Sequence, residues 1–299
     1  MSFILKNTDL TLKLEKAGEK YRGSRFDWNG LVSAAEFRGI SLLGEEKPFL
    51  QRKASSFGRG LHNEFGIKKC IGYDDCAVGE WFPKIGTGWL KKDDKPYFFF
   101  TPYEMESLSF TCDLTGNTGA LFTCDSGERN GYAYRYTKEV VLEGSSFRIA
   151  YNLENCGSKP LETEEYSHNF LCIGGIRIEP SYSLSFPWKL EPACFAENVD
   201  PDGILAVEGG CIGVTGKTGK QFYLGGISEG ISEKDGLAAE WTLENKKAHL
   251  KISEKGSFVP SGVHVWGWKS VISPELFFSF KIEAGNSLSW ERVYTVSAC

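Results

Sequence analysis

Histidine is scarce in this sequence: only four of the 299 residues, His62, His168, His249 and His264, carry an imidazole. Their spacing forms no metal-binding cluster. Cys70 and Cys76 lie too far apart, with no nearby histidine, to read as a zinc knuckle, and there is no CxxC pair. The nine cysteines are an odd count in a long chain, which argues against a disulfide framework. Cys112, Cys124, Cys172 and Cys211 fall in apolar or alternating patterns, where free cysteine behaves as a small hydrophobe. Reduced thiols and a cytoplasmic location are therefore expected. No apolar run is long enough for a membrane-spanning helix, and Met1 to Lys20 alternates and carries charge, so it lacks the core of a signal peptide. Charge of one sign is also lacking. A net charge of -5 gives no electrostatic reason to expect nucleic acid or an anionic membrane as partner. No segment keeps a helical apolar period for three turns, and linkers, repeats and low-complexity tracts are missing.

What is present is a period of two. Gly30 to Phe37, the tyrosines at 132, 134 and 136, and the pair Glu139 to Leu142 and Phe147 to Leu153 around a Glu-Gly-Ser-Ser turn all alternate as strands. Shorter alternating runs continue from Leu205 to Val296, with 34 glycines spread through the turns. The expected fold class is all-β, a large antiparallel β-sandwich, with residues 1–299 as one domain. Leu43 to Pro96 breaks the alternation and reads as a long connection of functional use. Aromatics at 14% suit sheet packing and also the stacking of rings on sugar faces.

The chemistry concentrates near His168. An alternating strand ending at Asn155, a turn with Gly157 and Pro160, and a second strand lead into Tyr166-Ser167-His168-Asn169-Phe170. This framework, with Tyr151, resembles the galactose mutarotase superfamily, in which such a turn and strand lead to His-x-Tyr or His-x-Phe. The resemblance covers most of the chain in layout and is residue-specific only from Phe147 to Phe170. It implies a galactose mutarotase-like supersandwich and an aldose 1-epimerase activity on a small-molecule sugar, with no cofactor. One group takes the proton of the anomeric hydroxyl, another protonates the ring oxygen, and the ring recloses on the other face. An imidazole, with an unperturbed pKa of about 6.5, can do either task near neutrality. The resemblance makes His168 the acid and a C-terminal carboxylate the base.

The carboxylate departs from the family spacing. Counting back from the turn Glu283-Ala284-Gly285-Asn286 reaches His264, where no acid stands, and the nearest is Glu275 after Pro274. Glu275 is the favoured base at a shorter spacing. A base at Glu64, a His168–His264 pair, and a non-catalytic carbohydrate-binding module that has lost its base remain the alternatives. Gly58 to Gly66 stands where the family has a His-Gly-Gly loop, so His62, Arg59 and Glu64 are candidate sugar contacts, with Arg52 competing with Arg59. Lys84, Asn169, His264 and the same-face pair Trp266 and Trp268 complete the candidate substrate-binding set. By strand parity Glu164, unlike Glu165, shares the face of His168 and is the better placed of the two to orient it. Neither the sugar nor the oligomeric state follows from the sequence.

Overall fold

The computed structural model describes residues 2–47, 53–56 and 58–299, so Arg52 lies outside the described residues. Two ten-stranded sheets dominate it. In spatial order the first contains Phe3–Lys6, Leu10–Glu15, Leu31–Phe37, Leu61–Phe65, Leu161–Asn169, Val271–Ile282, Gly262–Trp268, Phe222–Gly225 and Glu197–Val199, with Ile40–Ser41 paired to Leu31–Phe37. The second runs Leu205–Glu208, Cys211–Val214, Tyr182–Ser185, Glu240–Asn245, Leu250–Gly256, Ser287–Ala298, Ser146–Asn155, Tyr134–Glu143, Gly119–Asp125 and Ser109–Thr115. Every pairing within them is antiparallel. A small third sheet joins Trp81–Lys84, Gly88–Lys91 and Met105–Ser107. Among the described residues no helix is long and apolar enough to cross a membrane.

The expected hairpin forms over Tyr134–Glu143 and Ser146–Asn155. Glu143 pairs with Ser146, leaving Gly144 and Ser145 as a two-residue loop with Gly144 at φ 59°. Its inward residues, Tyr136, Val140, Phe147, Ile149 and Tyr151, are buried in one large core that takes side chains from both sheets. Phe65 of the first sheet packs edge-on against Tyr136 and Trp290 of the second, with ring centroids 5.5 and 6.3 Å apart. Interlocking aromatics of this kind hold two sheet faces together.

Leu43 to Pro96 is not one long connection. It contains the central strand Leu61–Phe65 and two strands of the small sheet. All five residues of Leu61–Phe65 are buried, because core covers one face and loops cover the other. A strand buried on both faces has no polar face to alternate with. None of the nine cysteines is paired in a disulfide. Cys124 and Cys172 are buried as expected, and Cys112 and Cys211 are half-buried.

Candidate active site

Strand register builds the site. Leu161–Asn169 pairs with Leu61–Phe65 so that His168 faces His62 and Tyr166 faces Glu64. Gly262–Trp268 pairs with Val271–Ile282 so that His264 faces Glu275 and Trp266 faces Ser273. Between these two pairs the ladder is interrupted: it ends at Glu165–Phe278 and resumes as a single bridge at Leu171–Ile272. Both ends of the gap share one register. Continued across it, that register sets His168 opposite Glu275, Tyr166 opposite Phe277 and Phe170 opposite Ser273. The result is a transverse row, His62, His168, Glu275 and His264, drawn from four neighbouring strands. Side chains at matching positions project to the same face.

Pro274 explains the gap, since it has no N–H for the ladder. Side chains stitch the opening instead. Asn169 N–H donates to Ser273 Oγ (2.9 Å), and Asn169 Nδ2 donates to the Pro274 carbonyl (2.7 Å). Ser273 Oγ in turn donates to Glu275 Oε1 (3.0 Å). Glu275 is thus a mid-strand residue with 5% exposure rather than an exposed cap after a proline.

His168 and Glu275 lie on the floor of a cleft of about 780 Å³, with Tyr166, Phe170, His264, Trp266 and Phe277 around them. His168 Nε2 is 3.7 Å from Glu275 Oε1. That is too long for a hydrogen bond, but close enough for one sugar to touch both. The imidazole is held by rings. It stacks on Phe170 at 4.3 Å and meets Trp266 and Phe26 edge-on at 5.2 and 5.9 Å. Burial, followed by the positive charge of Arg25 and by His62, holds the His168 pKa well below its ordinary 6.5. Burial pushes Glu275 up to about 8, with Glu64 adding to the rise and the Ser273 hydrogen bond and Arg25 opposing it. Near neutral pH both shifts favour the uncharged pair, a neutral imidazole beside a protonated Glu275 carboxyl. A dry floor disfavours the imidazolium–carboxylate form, whereas the family resemblance casts His168 as the acid.

Arg25 was not legible as a site residue. Its Nε donates to Glu64 Oε2 (2.8 Å) and its Nη2 to the Tyr166 hydroxyl (2.9 Å), and Tyr166 donates to the same Glu64 oxygen. Burial opposes the charge on Arg25, but the Glu64 carboxylate outweighs it and keeps the guanidinium protonated. Arg25 lines the cleft, whereas Glu64 is wholly buried beneath it. Glu64 therefore anchors Arg25 from beneath the cleft and is not among the residues that line it.

The other expected contacts divide. His264 lines the cleft. Its Nδ1 meets the Tyr223 hydroxyl (2.8 Å) and accepts from Gly226 N–H (3.1 Å), and burial lowers its pKa to about 4. A neutral ring that accepts at Nδ1 carries its proton on Nε2, ready to donate. Trp266 also lines the cleft. Trp268 does not: it shares the face of Trp266 but stands beyond the cleft edge, with Nε1 on the Gly219 carbonyl and Lys269 over its ring. Gly267 between them serves packing, since a Cβ there would come within 2.2 Å of the Phe222 ring.

His62 has the right register but is wholly buried under Phe26 and Tyr21, at 4.6 and 5.3 Å between rings, so it backs the cleft without lining it. Arg59 is drawn away to the Ser33 carbonyl and to Glu45. Lys84 is buried against the Phe65 carbonyl and the Tyr97 hydroxyl. Asn169 points to the core, where its side chain bonds Pro274, Glu254, Ser167 and Tyr294. Glu164 does share the face of His168, yet its carboxylate accepts Lys68 N–H (2.6 Å) and does not orient the imidazole.

Behind the floor lies a buried ion cluster. Arg292 of the second sheet donates to Glu165 on the back of the His168 strand and to Glu254, both fully buried. Glu165 also takes Asn63 Nδ2, and Glu254 takes Trp241 Nε1 and Asn169 Nδ2. These bonds tie the back of the His168 strand to the opposite sheet and so fix the height of the imidazole.

Comparison with solved structures assigns the fold of this two-sheet sandwich. No family model and no curated protein matches the sequence. The chain has the galactose mutarotase-like fold. A galactose mutarotase-like protein from Lactobacillus casei superposes with a TM-score of 0.61 at 13% identity, over 99% of this chain and 100% of that one. An aldose epimerase homologue from C. elegans gives 0.55 at 12%, over 100% and 99%. A protein from Synechocystis sp. PCC 6803 gives 0.62 at 16%, over 100% and 96%.

Proposed function

We propose that this protein interconverts the anomers of a reducing sugar, with His168 and Glu275 as the acid–base pair. The observation that carries the reading is their placement opposite each other across an interrupted ladder, on the floor of a cleft, 3.7 Å apart. In ring opening, neutral His168 takes the proton of the anomeric hydroxyl while the Glu275 carboxyl gives its proton to the ring oxygen. The bond from that oxygen to the anomeric carbon breaks and a carbonyl forms. His168 is then an imidazolium and Glu275 a carboxylate, an ion pair that low dielectric makes strongly attractive while the open chain lasts. After rotation about the adjacent carbon–carbon bond, the freed hydroxyl attacks the other face of the carbonyl. Its proton returns to Glu275 and the imidazolium proton returns to the new anomeric oxygen, restoring the resting pair.

These roles are exchanged relative to the sequence expectation, because the neutral pair is the form that burial favours. Arg25 and the Nε2–H of His264 are the donors for ring hydroxyls, and Trp266 is the stacking surface. The alternative, a binding module without a base, took its motivation from the missing acid near position 264. Glu275, the strand neighbour of His264, supplies one. The test is exchange NMR on α/β mixtures of several aldoses. The wild type accelerates exchange for at least one of them, and His168→Ala and Glu275→Gln each lose roughly a hundredfold to ten-thousandfold. Wild-type protein that accelerates none of them overturns the proposal.

A further inference from the structure

We propose that the cleft holds a second sugar ring on a wall formed by Phe99 and Phe100, so that the substrate class is a reducing disaccharide or longer oligosaccharide. This rests on the reaction proposed above, because the anomeric hydroxyl must lie at His168 and Glu275 and only the non-reducing unit can extend away from them.

Three consecutive phenylalanines, Phe98 to Phe100, form a packed group beside the cleft, with ring centroids 4.2 to 5.7 Å apart. Phe100 leaves 60% and Phe98 53% of its surface exposed, and Phe99 and Phe100 line the cleft itself. Scattered exposed hydrophobes need no explanation, but a contiguous aromatic patch at a cleft edge does.

The wall is continuous with the floor. Arg25, which bonds Tyr166 beside His168, also lies 4.7 Å from the Phe99 ring centre and 4.6 Å from that of Phe100. A path therefore runs from His168 over Tyr166 and Arg25 to the two phenylalanines. The volume of about 780 Å³ stands in the upper part of the small-ligand range of ~300–1,000 Å³, more than one pyranose fills. Ser55, Lys68 and Gln221 line the same cleft, and no protein partner for their side-chain polar atoms is found among the described residues. An apolar C–H face for the rings and a hydroxyl edge for these polar groups together describe a sugar. A purely apolar substituent would leave the polar rim unused.

The experiment compares kcat/KM for anomeric exchange of glucose, maltose, cellobiose, lactose and maltotriose by NMR, in wild type, Phe100→Ala and Phe99→Ala/Phe100→Ala. Wild type should favour at least one of the larger sugars over glucose by about tenfold, and the double variant should erase that ratio. The ratio is internal to each protein, so a general loss of activity does not imitate the result. No preference in wild type, or a preference that survives both substitutions, overturns the second subsite. Calorimetry with the same sugars on Glu275→Gln separates the two proposals. If exchange is absent throughout but a disaccharide binds more tightly than glucose in a way that depends on Phe100, the reaction fails and the wall stands. If exchange occurs and binding is equal, the wall fails alone.

Discussion

Ser273→Ala removes one hydroxyl and should move one limb of the pH profile. In the native site Ser273 Oγ accepts Asn169 N–H at 2.9 Å and donates to Glu275 Oε1 at 3.0 Å. That donation favours the carboxylate, against the burial that pushes Glu275 up to about 8. A hydrogen bond to a charged acceptor contributes roughly 1.5–3 kcal/mol, and a pH unit corresponds to about 1.4 kcal/mol. The variant should hold its proton about one to two units higher. Above that pKa Glu275 has lost the carboxyl proton that the proposed step gives to the ring oxygen, so the exchange rate falls there. The alkaline limb should therefore move up from about 8 in wild type to roughly 9–10 in the variant. Ser273→Thr, which keeps the hydroxyl, should leave the limb near its wild-type place. Exchange NMR across the pH range reads the limb directly, independently of any uniform loss of rate. The substitution also leaves the buried Asn169 N–H without its acceptor, at a cost of about 1–3 kcal/mol in denaturant unfolding. A limb that stays put or moves down refutes the assignment of that titration to Glu275.

Glu275→Gln should change how stability depends on pH. The folded pKa of about 8 lies above the ordinary 4.5, so the native state holds this proton more tightly than the unfolded chain. The neutral carboxyl is tolerated at acid pH, and stability is lost as pH rises from about 4.5 through 8, by on the order of 4–5 kcal/mol in all. The variant lacks that loss, so its advantage over wild type in urea unfolding should grow between pH 5 and pH 9 (about those values); an unchanged difference refutes the raised pKa. Arg25→Met strands the wholly buried Glu64 and should cost about 3–5 kcal/mol. Adding Glu64→Gln should restore much of that stability but not the activity, and no recovery in the double variant would mean that Arg25 acts mainly by packing on its phenylalanines. Trp266→Ala should raise KM roughly tenfold and leave kcat within about threefold if the ring stacks on the sugar. A fall in kcat alone would show instead that the indole positions the neighbouring His168.

The parts of the fold that face solvent on one side were legible in the sequence, as was the strand leading to His168, but Leu61–Phe65 and the first half of Val271–Ile282 were not. Tyr134–Glu143 and Ser146–Asn155 alternate cleanly because one face is core and the other is wet. Leu61–Phe65 and the first seven residues of Val271–Ile282 are buried throughout, so they carry no period-two signal, and Pro274 looked like an end rather than a gap. Candidate residues judged by local spacing divided accordingly. His168, Glu275, His264 and Trp266 reach the cleft. Arg59 and Lys84 are taken up by backbone carbonyls, and Asn169, one position from His168, necessarily points the other way. Arg25 sits in an irregular segment before the third strand of the first sheet, where no periodicity marks it.

What joins His62, His168, Glu275 and His264 is strand register, a relation between residues far apart along the chain that no local pattern expresses. The same register divides the electrostatics of the His168 strand. Glu165 and Asn169, facing inward, belong to a buried, hydrogen-bonded charge cluster that locks the strand to the opposite sheet. His168, facing outward, is held only by rings and left uncharged. A neutral acid and a neutral base cost little to keep on a dry floor, whereas a permanent ion pair there would be expensive. In the proposed mechanism the strand keeps its permanent charges where nothing moves, and charge develops at the cleft only when a substrate carries the proton across.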